Sequence, residues 1–271
     1  MVEGFGTWVR DWTALVRVRA SVATGALFVA GAWPRETGHL IVGGGSYGLC
    51  MAAVNSFNDF CDVQTDIVNQ RNDRPLTRMR LRRTDALYTA LGLGGLGSAL
   101  AATVNELAFS TTFLLLGWIY SRYSRRLPFV PHVIVAAALC LVFVAGRVSS
   151  HQARGGMQIV VETVSLGCFC LLYEFSQSTR DVAGDEQVGY VSVVRLVGPA
   201  ALKWIYRGVG IVAIAGFWAS GLLFHTSHWY YVCMVGAVAV WFLSTPNVAR
   251  MRPAWAVQAV RILGLAALVM N

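Results

Sequence analysis

Residues 39–66 read HLIVGGGSYGLCMAAVNSFNDFCDVQTD. From Leu40 to Phe57 the run carries no charge and holds three consecutive glycines, Gly43-Gly44-Gly45. About 20 mostly apolar residues suffice to cross a bilayer as a helix, and small residues let such helices pack closely in lipid. The run then passes into Asn58-Asp59-Phe60-Cys61-Asp62-Val63-Gln64-Thr65-Asp66, with three carboxylates in nine residues. Ionisable groups at a membrane boundary are costly and therefore point to function.

The rest of the 271-residue chain shares this character. It is 56% hydrophobic and 13% charged, against about 25% charged for a soluble globular chain. That excludes a soluble enzyme, a disordered chain and a nucleic-acid partner. It implies an all-α integral membrane protein, because helices satisfy their own backbone polar groups in lipid. Nine apolar stretches read as spans, at roughly 16–33, 39–57, 85–104, 106–121, 131–148, 157–177, 197–222, 229–246 and 254–270. Two connecting loops stand out, at about 58–84 and 178–196. No Pro- or Ser-rich linker divides the chain, so residues 1–271 read as one domain. The N-terminus lacks a compact basic region followed by an apolar core, so no cleaved signal peptide is expected. The six cysteines lie mostly within apolar runs and form no CxxC pair, so they read as packing residues.

The net charge is +8, from 21 Arg, the single Lys203 and 14 acids. With nine spans, 19 of the 22 basic residues fall on the side of the N-terminus and the even-numbered loops. The positive-inside rule puts that side in the cytoplasm, for a multi-pass protein of the cell membrane. The Arg, Ala, Val and Gly bias suits a high-GC bacterial source.

Half of the acids sit in two short segments on that same side: Asp59, Asp62, Asp66 and Asp73, then Asp181, Asp185 and Glu186. If the second helix continues through the first segment, a turn of about 100° per residue puts Asn58, Asp62 and Asp66 on one face. Asp181 and Asp185, four apart, also share a face, with Glu174 two turns back. Crowded carboxylates repel unless a cation neutralises them. Hard oxygen ligands without His or Cys favour Mg²⁺, which keeps waters and binds through few carboxylates plus substrate phosphates. Arg71, Arg74, Arg78, Arg125, Arg126 and Arg180 offer guanidinium groups for remaining phosphate charge. Solvated loop charges would explain one such cluster less strainedly than two of matching spacing. Asp62 to Asp181 and Asp66 to Asp185 are each 119 residues, which suggests two pseudo-repeated four-helix halves plus one further helix.

These residues resemble the UbiA superfamily of intramembrane prenyltransferases. NDFCDVQTD matches that family's NDxxDxxxD motif, and Arg71 with Arg74-Pro75-Leu76 is similar to its basic-x-x-RPL. Arg180 to Gly198, RDVAGDEQVGYVSVVRLVG, resembles its second Asp motif, and Tyr120-Ser121 its YS element. The resemblance implies helices around a central cavity. Asn58, Asp62 and Asp66 would hold one Mg²⁺, and Asp181 and Asp185 a second. Arg71, Arg74, Arg125, Arg126, Arg180 and Tyr120 would grip an isoprenyl diphosphate. Asp59, Glu174, Gln177 and His132 would serve the acceptor or support the ligands. The implied reaction ionises an allylic diphosphate, transfers the prenyl group to a small aromatic or quinone-type acceptor and releases pyrophosphate. The alternative is a UbiA-type terpene cyclase with the same metal site and no external acceptor. The chain departs from the pattern in lacking a Gly soon after Arg74-Pro75-Leu76 and a Lys after Tyr120-Ser121. It also carries Gln177 and Ser178 where many members have Lys and Asp.

Overall fold

A computed structural model describes residues 2–123, 127–150, 155–187 and 189–224, without the side chains of 2–4, 179–181 and 183–186. Eight helices follow in order: α1 (Val2–Leu15), α2 (Val18–Ala32), α3 (Thr37–Val68), α4 (Arg83–Thr103), α5 (Leu107–Arg122), α6 (Val130–Ser149), α7 (Gly156–Gln187) and α8 (Val193–Leu223). Five of them (α3, α4, α6, most of α7, and α8) are long and apolar enough to cross a membrane, or six if the bent α1–α2 pair is one span. The first seven expected spans each fall on a helix. The last two, 229–246 and 254–270, lie outside the described residues, and the count of nine is not reproduced among those described.

Four features differ from expectation, each for a physical reason. The segment from 58 to 68 is helix rather than loop, because α3 runs on for 32 residues. At 1.5 Å per residue that is about 48 Å, well beyond a hydrocarbon core of about 30 Å. The Asp-bearing turns are therefore the overhang of a membrane helix. α7 repeats the device over 32 residues, carrying 178–187 as helix too. Both ends of α7 are offset from those of α3 by 119 residues, the same spacing as the two Asp motifs.

The third difference is α1, which the sequence reading left unassigned. Phe5, Trp8, Val9 and Trp12 recur at i, i+3, i+4 and i+7, the stripe of an amphipathic helix. Phe5 and Trp8 are exposed and stack on each other at 6.0 Å. α1 meets α2 at 48°, with Arg17 in the left-handed region (φ 46°) at the joint. α8 starts at Val193, before the expected 197, and kinks at Gly198 (φ 76°), because Pro199 cannot continue the hydrogen-bond ladder.

α3 is the hub, packing on α2, α4 and α5, while α2 packs on α6 and α6 on α7. The main core lies toward the end away from the Asp motifs, around Phe28, Tyr47, Val142 and Phe143, all fully buried. There α2 and α6 cross closely. A methyl added to Gly31 would come within 2.4 Å of the Phe143 carbonyl oxygen, and one on Gly146 within 2.4 Å of that of Phe28. At the same end Arg147 and Glu162 form a fully buried ion pair, with Nε 3.0 Å and Nη2 2.9 Å from Oε2. Gln158 and Ser220 donate to the other Glu162 oxygen at 3.0 and 3.3 Å, joining α6, α7 and α8.

Candidate active site

The cavity opens in the half of the bundle that carries the Asp motifs. It has a volume of about 350 Å³. Its polar end is built by the last turns of α3 and the loop that follows, which present Asn58, Asp62, Asp66, Arg71 and Arg74. Its deeper wall is apolar, from Met51, Val54, Phe113, Leu116, Ala138 and Leu139. Tyr120, Tyr173, Glu174 and Gln177 close the side supplied by α5 and α7. The i, i+4 spacing on α3 thus delivers what it implied: an amide and two carboxylates on one face, all buried. The Ser121 hydroxyl is 3.4 Å from Asn58 Oδ1 and steadies that amide.

Asp59 faces elsewhere. It is 1% exposed, is hydrogen-bonded by an Arg17 guanidinium nitrogen, and lies 3.3 Å from Arg74 Nη1. Its place is to support two guanidinium groups rather than to line the cavity. Burial, and the nearby positive charge of Arg17, press the Arg74 guanidinium below its usual pKa, while Asp59 pulls it back.

The loop from 69 to 82 is held by short local contacts. Gln70 turns the chain with a φ of 51°, and the Arg71 amide donates to the Asp66 carbonyl at 2.9 Å. The Thr77 hydroxyl donates to the Arg71 and Arg74 carbonyls, both at 2.8 Å. Thr77 thus pins the loop directly after Arg74-Pro75-Leu76. Leu76 is buried against Leu15 and Ala86, anchoring the loop to α1 and α4. Asp73 bonds Arg71 at 3.1 and 3.3 Å. Burial works to raise the Asp73 carboxyl, but the hydrogen bond and charge of Arg71, with Arg74, outweigh it and hold the pKa below its usual value.

His132 does not reach the main cavity. It lines a second one of about 130 Å³, which shares Tyr120, Glu174 and Gln177 with the first. Its Nε2 is 3.1 Å from the Ser178 hydroxyl and its Nδ1 3.8 Å from Glu174 Oε2. Arg125 and Arg126 lie outside the described residues. The backbones of Arg180, Asp181 and Asp185 belong to the end of α7, and their side chains lie outside the described atoms. Sequence reasoning singled out neither Arg17 nor Tyr173 as site residues. Arg17 sits 42 residues from Asp59, and nothing local signals that pairing.

No group of three or more His, Cys, Asp or Glu gathers as a metal cluster among the described residues. α3 offers two carboxylates and an amide, all hard oxygen donors. That set fits Mg²⁺, which takes few protein ligands and completes its shell with water and phosphate oxygens.

A family model described as the UbiA prenyltransferase family matches residues 20–261. The chain belongs to that family. The UbiA fold is seen directly in solved structures. A UbiA homolog from Archaeoglobus fulgidus bound to GPP and Mg²⁺ superposes with a TM-score of 0.78 at 15% identity, over 96% of this chain and 97% of that one. The apo UbiA homolog from Aeropyrum pernix K1 gives 0.78 at 17% identity, over 92% and 96%. At such identities the likeness is one of fold. Among curated UbiA relatives, the digeranylgeranylglyceryl phosphate synthase of Pyrococcus abyssi is 30% identical over 167 residues, 60% of this chain and 58% of that protein. Its Pyrococcus furiosus counterpart is 29% identical over 167 residues, 60% and 56%. The matched stretch thus spans less than two thirds of these relatives. Both are archaeal and lend no support to a bacterial source.

Proposed function

We propose that the chain is an Mg²⁺-dependent intramembrane prenyltransferase that moves the prenyl group of an allylic isoprenyl diphosphate to an acceptor. The observation that carries this reading is the two-part cavity, with carboxylates and guanidinium groups at one end and an apolar wall beyond. Arg71 and Arg74 bind the diphosphate, and the prenyl tail lies along Val54, Phe113, Leu116 and Leu139. Asn58, Asp62 and Asp66 hold one Mg²⁺, and Asp181 and Asp185 a second. When bound, the metal neutralises charge that builds on the leaving diphosphate.

The allylic carbon–oxygen bond breaks with its electron pair leaving on pyrophosphate. The acceptor's nucleophilic atom forms the new bond to that carbon, and its proton passes to Glu174, which faces the cavity. The aromatic ring of Tyr173 lines the same wall and suits contact with a developing cation. The acceptor is taken as the hydroxyl of a glyceryl phosphate lipid, supported by the names of the curated relatives. A second reading keeps the aromatic or quinone-type acceptor, and the Glu174–His132 pair beside the cavity favours it, since it suits removal of an acidic proton. The Asp-bearing end faces the cytoplasm, by the distribution of Arg.

The test is incubation of membranes holding the protein with Mg²⁺, labelled isoprenyl diphosphates and each acceptor class. Prenylated acceptor and pyrophosphate in equal amounts are expected. Pyrophosphate with a cyclic hydrocarbon and no need of acceptor would replace transferase by terpene cyclase. No turnover of any diphosphate would overturn both.

A further inference from the structure

A third cavity, of about 420 Å³, lies outside the catalytic one where α1 meets α2. Arg10, Arg17, Arg19, Thr13 and Tyr173 line it, and no acidic side chain does. It meets the catalytic cavity at Arg17, Ala20 and Tyr173, which line both. The left-handed turn at Arg17 creates this hollow by swinging α1 away from α2.

The charges there do not cancel. Arg17 is paired with Asp59. Asp11, the acid nearest in sequence, is taken by Arg80 at 3.2 Å. Arg10 and Arg19 line the hollow and have no ion-pair partner among the described residues, so two positive charges beside it are left unneutralised. A phosphate monoester carries about −1.5 to −2 at neutral pH, which is the charge they would match. Guanidinium groups suit such oxygens by geometry as well as charge. The exposed Phe5–Trp8 stripe lies on the opposite face of α1 from Arg10, which seats the helix at the bilayer interface, where headgroups of amphiphiles lie.

We propose that the hollow of Arg10 and Arg19 is the acceptor's phosphate site, holding the headgroup of a lipid alcohol while its hydroxyl reaches past Arg17 and Tyr173 to the allylic carbon. This rests on the prenyltransferase reading above and extends it to acceptor selection. Anionic bilayer lipids carry the same phosphate chemistry, so the experiment separates the two sources.

The probes are a monoalkylglyceryl phosphate and the corresponding phosphate-free monoalkylglycerol, offered to Arg10→Gln, Arg19→Gln and the double variant. The protein is reconstituted once in zwitterionic and once in anionic vesicles. Each substitution is expected to raise KM for the phosphate-bearing acceptor about tenfold, in line with loss of one charge-assisted hydrogen bond. The phosphate-free acceptor should serve wild type and variants equally poorly. Mg²⁺-dependent binding of isoprenyl diphosphate should stay within about twofold, in both vesicle types. Equal loss with both acceptors, no change with either, or an effect seen only in anionic vesicles would overturn the proposal. Wild type that transfers to the phosphate-free acceptor as well as to the other would overturn it too. Wild type that binds no isoprenyl diphosphate would instead strike the prenyltransferase reading.

Discussion

Asp62 and Asp59 are three residues apart on one helix and do opposite work. Asp62 lies 3% exposed on the cavity wall with its carboxylate among hard donors, whereas Asp59 turns away to two arginines. Asp62→Asn keeps the shape and removes the charge. It should lower Mg²⁺-dependent prenyl transfer by about 100- to 1,000-fold, the scale on which electrostatic groups act at a transition state, with the melting temperature in detergent unchanged. Chelation of the metal should abolish turnover in wild type. At the far end, the Arg147–Glu162 pair calls for a different experiment. Glu162→Gln leaves a buried guanidinium without its counter-charge and should cost about 3–5 kcal/mol. Joint replacement as Arg147→Met with Glu162→Leu should recover most of that loss in thermal denaturation. No local pattern in the sequence joins these two residues, because their contact is made by the folding back of α7 on α6.

The helices were legible in proportion to how far local rules govern them. Apolar length alone located α2 to α8, because lipid enforces it. The i, i+4 spacing of Asn58, Asp62 and Asp66 foretold a shared face, and α3 supplies it. Helix ends were less legible: hydropathy marks where lipid ends, while α3 and α7 stop only some turns later. α1 carried a clear stripe but too few residues to read as a span. The pairing of Arg17 with Asp59 had no local signature at all. Crossing geometry gives a prediction at this scale. Gly146→Ala should push α6 from α2 and destabilise by about 1–3 kcal/mol. Gly95→Ala in α4, where an added methyl meets nothing within 4 Å, should be neutral or stabilising, because alanine is the better helix former. Melting temperatures of the two variants, compared with wild type, check this pair.

Across the whole molecule, the α4 helix separates two ends of different character, with the arginine-rich loop before it and Leu107 after it. On a background with the native cysteines replaced, Arg82→Cys should react with an impermeant maleimide only in inverted vesicles, and Leu107→Cys only in right-side-out ones. The reverse pattern would overturn the cytoplasmic assignment. The two ends also differ in what fills them. The cavity reaches in from the Asp-bearing end and stops at Phe113 and Ala138, which belong to the packed core as well as to the cavity wall. Behind them stand the close α2–α6 crossing and the buried ion pair. Among the described residues the chamber is therefore a blind well rather than a passage. Whatever enters it leaves by the same mouth or sideways between helices, and nothing is carried through. On the proposed prenyl transfer, donor, acceptor and product would all stay on the side of that mouth, so membrane asymmetry would survive every turnover.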